Sequence, residues 1–433
     1  MDVKFCILTL GCKVNSYESD FIKEQFLENG YVDVSLNDSP DIIIINTCSV
    51  TNQSDAKSRH MIRLARRSAP NSIIVACGCS AQNHKEDLLD VGADIVIGNK
   101  DKTKIIDYVN EFIKNKEKIS KFYDMQTQEF ESMFLKSEND KTRAFVKIQD
   151  GCNNYCSYCI IPYMRGNIRS KNIDTAVSEI NSLVESGHSE IVLTGIHTGS
   201  YGRGEDFDLV DLIRRISENP RLKRVRISSI ETTELDEKFM EELKNNPKIC
   251  NHLHIPLQSG SDRVLEKMNR KYDTKYFENK IKEIRSIRPD ISITTDLIVG
   301  FPYETDEEFE NTFKFLKKIA FTKIHTFPFS LRSGTKAEEM SEHFVDEKIK
   351  KERVKKVLEL SRELENAYYK KFIGKTLSVI VEDTKDDLSR GHTDNYILVN
   401  LDSKVPSGKM VDAKIYEVDN LNVKGNIIDI DKN

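Results

Sequence analysis

The sequence predicts an α/β protein in three parts: an N-terminal doubly wound α/β domain, a central partial (βα)6 barrel and a C-terminal small β-barrel. Three observations carry this reading. Residues 1–115 alternate short apolar runs with stretches of helical spacing. Residues 143–335 repeat a strand–helix alternation six times. Residues 374–433 break into short alternating segments punctuated by Gly, Asp, Asn and Ser.

In the first part the apolar runs are 4–10, 41–45, 72–77 and 93–97, and helical spacing falls at 16–29, 52–68 and 82–89. Continuous apolar strands separated by helices describe a parallel sheet covered on both faces. Residues 116–142 are polar, with scattered aromatics and no sustained period, and read as a linker. In the central part the strand candidates are 144–148, 190–194, 224–229, 252–257, 292–299 and 323–330. Six units are too few for a closed eight-stranded barrel, so an open one is expected, with ligands at the carboxyl ends of its strands. Residues 336–373 connect the barrel to the last part. Within them 343–373 read as one basic helix with a less polar stripe at Val354, Val357, Leu358, Ser361 and Leu364. Segments 378–382, 396–400, 410–416 and 426–430 then fit a five-stranded barrel over 374–433.

A chain of 433 residues corresponds to roughly three domains. With 38% hydrophobic and 31% charged residues it is neither collagenous, disordered nor membrane-embedded. Its longest apolar runs fall short of the ~20 residues that span a bilayer, and its start lacks a basic n-region. The expectation is a cytoplasmic protein with no membrane partner. Nine cysteines, an odd number, do not make a disulfide scaffold at this length; metal ligands, clusters or catalytic thiols are expected. A formal net charge of −5 argues mildly against a nucleic-acid partner.

The strongest local signal is Cys152-Asn-Asn-Tyr-Cys156-Ser-Tyr-Cys159, three thiols just after a barrel strand. A zinc site prefers four ligands in two separated pairs, and no second pair follows. An iron–sulfur cluster usually takes four thiolates, so three leave one iron open to a ligand. A second set is dispersed. Cys12, Cys48 and Cys79 each follow a strand of the N-terminal sheet, so the three can converge at one edge of it. Sequence alone does not choose between Cys77 and Cys79. Cys6 and Cys77 read as small buried residues within strands, and Cys250 as a lone thiol. Gly195, Ser228, Glu231, Gln258 and Asp296 stand at the ends of barrel strands, where each is also compatible with a plain strand-to-helix turn.

The C-x3-C-x2-C triad at the end of the first strand of a partial barrel resembles the radical S-adenosylmethionine (SAM) superfamily. The resemblance implies a [4Fe–4S] cluster on Cys152, Cys156 and Cys159, its open iron chelated by SAM. One electron then cleaves the sulfonium and releases a 5′-deoxyadenosyl radical. It implies adenine contact at Tyr158, a methionine-binding segment at Gly195, ribose contact at Ser228 and Glu231, and further cofactor contacts at Gln258 and Asp296.

Three more strings narrow the resemblance: Gly11-Cys12-Lys13-Val14-Asn15-Ser16-Tyr17-Glu18, Asn46-Thr47-Cys48 and Gly78-Cys79-Ser80-Ala81-Gln82. They resemble the N-terminal domain of the methylthiotransferases, in which three such cysteines hold an auxiliary [4Fe–4S] cluster; Cys79 matches the family ligand and Cys77 does not. The resemblance extends through a TRAM-type module at 374–433. The first string is closest to the threonylcarbamoyladenosine tRNA branch. That implies 2-methylthiolation of N6-threonylcarbamoyladenosine beside the anticodon, with a tRNA substrate, two [4Fe–4S] clusters and SAM. It further implies an electron donor such as a flavodoxin or ferredoxin, and a sulfur source. The alternatives are the same chemistry on N6-isopentenyladenosine or a ribosomal protein and, in a different class, a zinc-containing RNA-binding protein. One departure is Tyr303, in Gly300-Phe301-Pro302-Tyr303-Glu304, where the family has glycine. A turn needing positive φ resists tyrosine, so a local difference is expected there.

Candidate phosphate contacts are Arg59, Arg63, Arg66 and Arg67, on or near one face of the 52–68 helix. Residues 348–375 add ten Lys/Arg against four Glu, whereas 374–433 hold eight Lys/Arg against eleven acids. Any RNA contact of the last module must therefore be local, with Arg390, His392 and Tyr396 as candidates. A solvated charged face is the plainer reading of each basic stretch.

Overall fold

The computed structural model describes residues 3–84, 87–137, 141–385 and 388–430. Residues 85–86 of the 82–89 helix, 138–140 of the linker and 431–433 of the last module lie outside the described residues.

The first domain is a six-stranded parallel sheet in the order β2-β1-β3-β4-β5-β6. Its strands are β1 (Lys4–Thr9), β2 (Val32–Asp33), β3 (Ile42–Thr47), β4 (Ile73–Gly78), β5 (Ile95–Ile97) and β6 (Ile119–Lys121). Helix α1 (Lys13–Glu28) covers one face, where Ile22 and Phe26 meet Ile42 and Ile44. Helix α2 (Asn52–Ser68) covers the other, where Ile62 and Ala65 meet Ile43 and Ile45. The period of two thus sends alternate isoleucines of β3 into two cores, and every residue of that strand is buried.

Two expectations need correction. The segment 116–142 is not a free linker. It supplies β6, and its Met133 and Leu135 are buried in the core of the central barrel. The 82–89 stretch is two short helices, Cys79–His84 and Asp87–Val91.

The central barrel strands are β7 (Arg143–Lys147), β10 (Glu190–Thr194), β11 (Arg224–Ile227), β12 (His252–His254), β13 (Ser292–Val299) and β14 (Lys323–Pro328). β8 (Gln149–Asp150) and β9 (Arg169–Ser170) form a short antiparallel pair beside them. The six barrel strands form two three-stranded parallel sheets, β11-β10-β7 and β12-β13-β14. An isolated bridge from Val225 to Ile249 and the Ile230 amide bonded to the His254 carbonyl at 3.0 Å join them. The barrel is open, as expected.

The last part is a closed five-stranded barrel, ordered β15-β16-β17-β19-β18. Its strands are β15 (Thr376–Lys385), β16 (Leu388–Thr393), β17 (Leu398–Leu401), β18 (Met410–Asp419) and β19 (Asn422–Ile430). The helix before it, Glu347–Lys370, runs along β14, where the Ile324 amide donates to Ser361 Oγ at 3.0 Å. Its stripe differs from expectation at Leu358, which is 42% exposed. Lys350 and Arg353 are buried instead, and Arg353 pairs with Glu304 at 2.6 Å. Part of the basic charge of this helix is therefore used inside the protein.

Tyr303 corrects another expectation. The turn keeps its positive φ (+71°) with tyrosine in place. The ring stacks on His343 at 3.9 Å, and the Lys267 ammonium lies over it at 5.0 Å, contacts that offset the backbone strain.

Buried arginines of β11 fasten the C-terminal barrel. Arg224 donates to the Ser378 carbonyl (2.6 Å), and Arg226 to the Asp394 carbonyl (3.0 Å) and to Glu190 (2.6 Å). Burial alone would raise the Glu190 carboxyl, but Arg226 and Arg224 outweigh it and hold it at about 2. A carboxyl whose folded pKa lies below its unfolded value of about 4.3 stabilises the fold above that value. The stabilisation, about 3 kcal/mol, is lost as pH falls from about 4.3 through 2. Urea titrations of the apoprotein at pH 6 and pH 3.5 should show a smaller drop in midpoint for Glu190→Gln than for the unsubstituted chain.

Candidate active site

The first triad sits on the loop after β7. Gly151 (φ +75°) starts it, and a Cβ there would collide with the Asn167 carbonyl. The loop's path is fixed by backbone: the Cys152 amide bonds the Gly166 carbonyl (3.0 Å), and the Ser157 amide bonds the Met268 carbonyl (3.0 Å). Arg270 donates to Cys156 Sγ at 3.3 Å and is itself held by Glu231. Burial pushes the Cys159 thiol up to about 12, and the neighbouring Cys156 and Cys152 add to the rise. His197 lies between Cys152 Sγ (3.9 Å) and Glu234 (2.7 Å).

Cys12, Cys48 and Cys79 follow β1, β3 and β4, neighbouring strands of the sheet, at their carboxyl ends. A Cβ on Gly11 would lie 2.9 Å from Cys48 Cβ, so glycine there lets the Cys12 turn close onto Cys48. Cys79 Sγ accepts from Arg165 Nε at 3.3 Å and from Asn99 at 3.6 Å. Arg165 also donates to Asn15 Oδ1 (2.9 Å), on which the Cys12 thiol closes at 3.8 Å. Burial raises the Cys12 and Cys48 thiols, and the other sulfurs of the set raise them further. The structure also separates Cys79 from Cys77, which is fully buried in the apolar core under α1. Cys6 and Cys250 are buried, apart from both triads.

Arg165 belongs to a buried network that joins the two domains. It pairs with Glu18 and Asp150 (both 3.1 Å), Lys147 with Glu18 (2.8 Å) and Asp150 (2.7 Å), and Lys102 with Glu18 (3.0 Å). With Arg169 at 3.7 Å from Asp150, four cations face two carboxylates, an imbalance that burial makes costly. An anionic three-thiolate cluster on Cys12, Cys48 and Cys79 would supply the missing negative charge. Among the described residues no three His, Cys, Asp or Glu side chains stand in an arrangement that would hold a metal ion as they are placed. Each triad offers three thiols and one guanidinium on a sulfur, a donor set that suits an iron–sulfur cluster with one open iron.

Beside Cys12 of the second triad lies a cavity of about 890 Å³ along the inner wall of the barrel, from Thr194 and Ser228 across to Ser292, Thr294 and Lys323. Cys12 and Lys13 line it from the first domain, Gly195, Ser228 and Asp296 from the barrel, and Tyr396 from the last module. Asp296 pairs with His254 at 3.2 Å. Tyr396 (φ +67°) is stacked between His252 (4.9 Å) and His392 (4.7 Å), with the Arg226 guanidinium 4.8 Å from its ring.

Not every residue singled out from sequence lines this cavity. Tyr158 packs edge-on against Phe301 beside the first triad. Glu231 is engaged by Arg270, and Gln258 (φ +66°) bonds through its backbone to β13. Of the α2 arginines, Arg63 and Arg67 are exposed and Arg59 is half-buried. Arg66 is turned inward onto Asp94 (2.5 Å) and the Gly92 carbonyl. Arg390 is exposed and pairs with Asp383 (2.8 Å), whereas His392 and Tyr396 belong to the cavity wall. Sequence reasoning missed Arg165 and Arg270, whose partners lie far away in the chain.

An open barrel with a three-cysteine loop after its first strand and a cavity along its inner wall fits a radical SAM enzyme. Residues 146–316 match the Radical SAM superfamily, and residues 4–98 match the family described as Uncharacterized protein family UPF0004. The chain is 39% identical to the threonylcarbamoyladenosine tRNA methylthiotransferase MtaB of Bacillus subtilis, over 94% of this chain and 92% of the relative. It is 32% identical to the tRNA-2-methylthio-N(6)-dimethylallyladenosine synthase of Acetivibrio thermocellus, over 98% and 91%. The fold is similar to that of the radical SAM methyltransferase TsrM of Kitasatospora setae, with a TM-score of 0.56, 14% identity and coverage of 75% of this chain and 73% of that one. The chain belongs to the radical SAM methylthiotransferase family, whose members use SAM and [4Fe–4S] clusters.

Proposed function

We propose that this enzyme converts N6-threonylcarbamoyladenosine beside the anticodon of tRNA to its 2-methylthio derivative. The observation that carries the reading is the shared cavity: Cys12 of the second triad, Gly195 and Ser228 just after their strands and Asp296 within β13 face the same space. Bound clusters and SAM supply a carbon radical and a transferable methyl group, which the inert C2–H of adenine requires and no acid–base side chain provides. The protein's own contribution is binding and isolation. Cys152, Cys156 and Cys159 hold one cluster and Cys12, Cys48 and Cys79 the other. Arg270 and Arg165 each donate to a ligand sulfur, and the stacked rings of His252, Tyr396 and His392 form one wall of the cavity.

Relatives named for threonylcarbamoyladenosine reach 35–39% identity, against 32% for the dimethylallyladenosine relative quoted above. The electron is taken from a flavodoxin or ferredoxin, the sulfur from a separate source, and the compartment is the cytoplasm; no helix among the described residues is long and apolar enough to cross a membrane. Reconstituted protein given SAM, a reductant, sulfide and tRNA carrying N6-threonylcarbamoyladenosine should produce the 2-methylthio nucleoside, read by mass spectrometry. No product from that tRNA would refute the reading.

Exposed Arg63 and Arg67, with Arg59, are the phosphate-binding candidates that remain on α2. Replacing the three by glutamine should weaken tRNA binding and flatten its salt dependence by about 0.9 in log–log slope for each phosphate no longer neutralised. A filter-binding series over salt concentration measures it. An unchanged slope would remove this face from the interface.

A further inference from the structure

The cations around the central cavity are almost all matched. Arg226 is held by Glu190, Arg143 by Glu382 (3.0 Å), Lys323 by Glu365 (3.2 Å) and His254 by Asp296 (3.2 Å). Lys13 is the exception. It is the first residue of α1, directly after Cys12, and its half-buried side chain lines the cavity. Its ammonium has no hydrogen bond or ion pair with any described residue. An unpaired cation in a recess is costly unless an anion enters with the ligand.

The substrate proposed above brings such an anion. The threonylcarbamoyl group ends in a carboxylate, whereas the isopentenyl group is wholly apolar. C2 and C6 of adenine both flank N1, so the N6 substituent leaves the ring close to the carbon that is functionalised. A residue next to a ligand of the second triad is therefore placed to meet that substituent. We propose that Lys13 binds the threonyl carboxylate of N6-threonylcarbamoyladenosine and so sets the enzyme's choice between tRNA adenosines. The inference rests on the function proposed above and deepens it. Discrimination follows from both sides: the carboxylate gains a partner, and an isopentenyl group would leave the ammonium desolvated and unpaired.

The test uses reconstituted holoenzyme and three anticodon stem-loops, carrying the threonylcarbamoyl group, its carboxylate methyl ester, or the isopentenyl group. Binding is read by fluorescence anisotropy and turnover by mass spectrometry. The unsubstituted enzyme should prefer the acid over the ester by at least about 30-fold. Lys13→Met should bring that ratio close to one, and Lys13→Arg should restore part of it. A Lys13→Met enzyme that keeps the full preference for acid over ester overturns the role of Lys13 and leaves the proposed function standing. If Lys13→Met fails to load iron, the unsubstituted enzyme still decides, because equal treatment of acid and ester overturns the role. An unsubstituted enzyme that thiomethylates only the isopentenyl stem-loop overturns the proposed function and this inference together.

Discussion

Replacing Cys152, Cys156 and Cys159 together by alanine should leave a folded protein that cleaves no SAM. The loop does not depend on its thiols for its path. Backbone bonds from Cys152 to Gly166 and from Ser157 to Met268 hold it, as does the Tyr158–Phe301 contact. The substitution removes the donor set for one cluster, so iron should fall from roughly eight to roughly four per chain. 5′-Deoxyadenosine formation should drop to background, and both modification of tRNA and abortive SAM cleavage should vanish. Persistent cleavage in that variant would place the radical chemistry elsewhere.

The second triad should behave differently. Alanine at Cys12, Cys48 and Cys79 should again halve the iron but retain SAM cleavage while stopping thiomethylation, because this set follows strands of the first domain and the other follows the first barrel strand. It should also lower stability. Arg165 Nε is deprived of its acceptor on Cys79, and a buried donor left unsatisfied costs about 1–3 kcal/mol. In the Lys102, Lys147 and Arg165 network the cations already outnumber Glu18 and Asp150. Denaturant midpoints of the apoproteins measure it, and the first triad should show a similar loss, since Arg270 is deprived of Cys156 while keeping Glu231. Continued thiomethylation by the second variant would remove the triad from the reaction.

Much of this was legible in the chain because the signals are local. β10 and β13 begin and end where the sequence placed them, around the apolar residues Ile191–Leu193 and Leu297–Val299. β12 stops at His254, short of the expected 257, shortly before Pro256, which has no N–H to give a ladder. The cysteines of the first triad stand out by spacing, and those of the second only through their place after successive parallel strands. What sequence could not carry is side-chain direction. Arg66 shares a basic stripe with Arg63 and Arg67, yet it turns inward onto Asp94. The 116–142 segment has no period because Met133 and Leu135 pack against the barrel from an irregular strap rather than a helix or strand. Arg165 and Arg270 carry no local mark, and Lys13, although it stands in the Gly11-Cys12-Lys13 string, shows nothing there of its place on the cavity, since each acts on a residue or cavity assembled from distant segments. The whole-chain charge of −5 averaged a basic helix with an acidic final module and did not forecast an RNA substrate.

The most direct measurement is a mass-spectrometric inventory of tRNA nucleosides from a strain lacking this gene, beside the same strain with the gene restored. In the deletion strain 2-methylthio-N6-threonylcarbamoyladenosine should disappear and N6-threonylcarbamoyladenosine should accumulate in its place, and restoration should reverse both. Retention of the thiomethylated nucleoside, or loss of the 2-methylthio isopentenyl derivative instead, would contradict the assigned reaction.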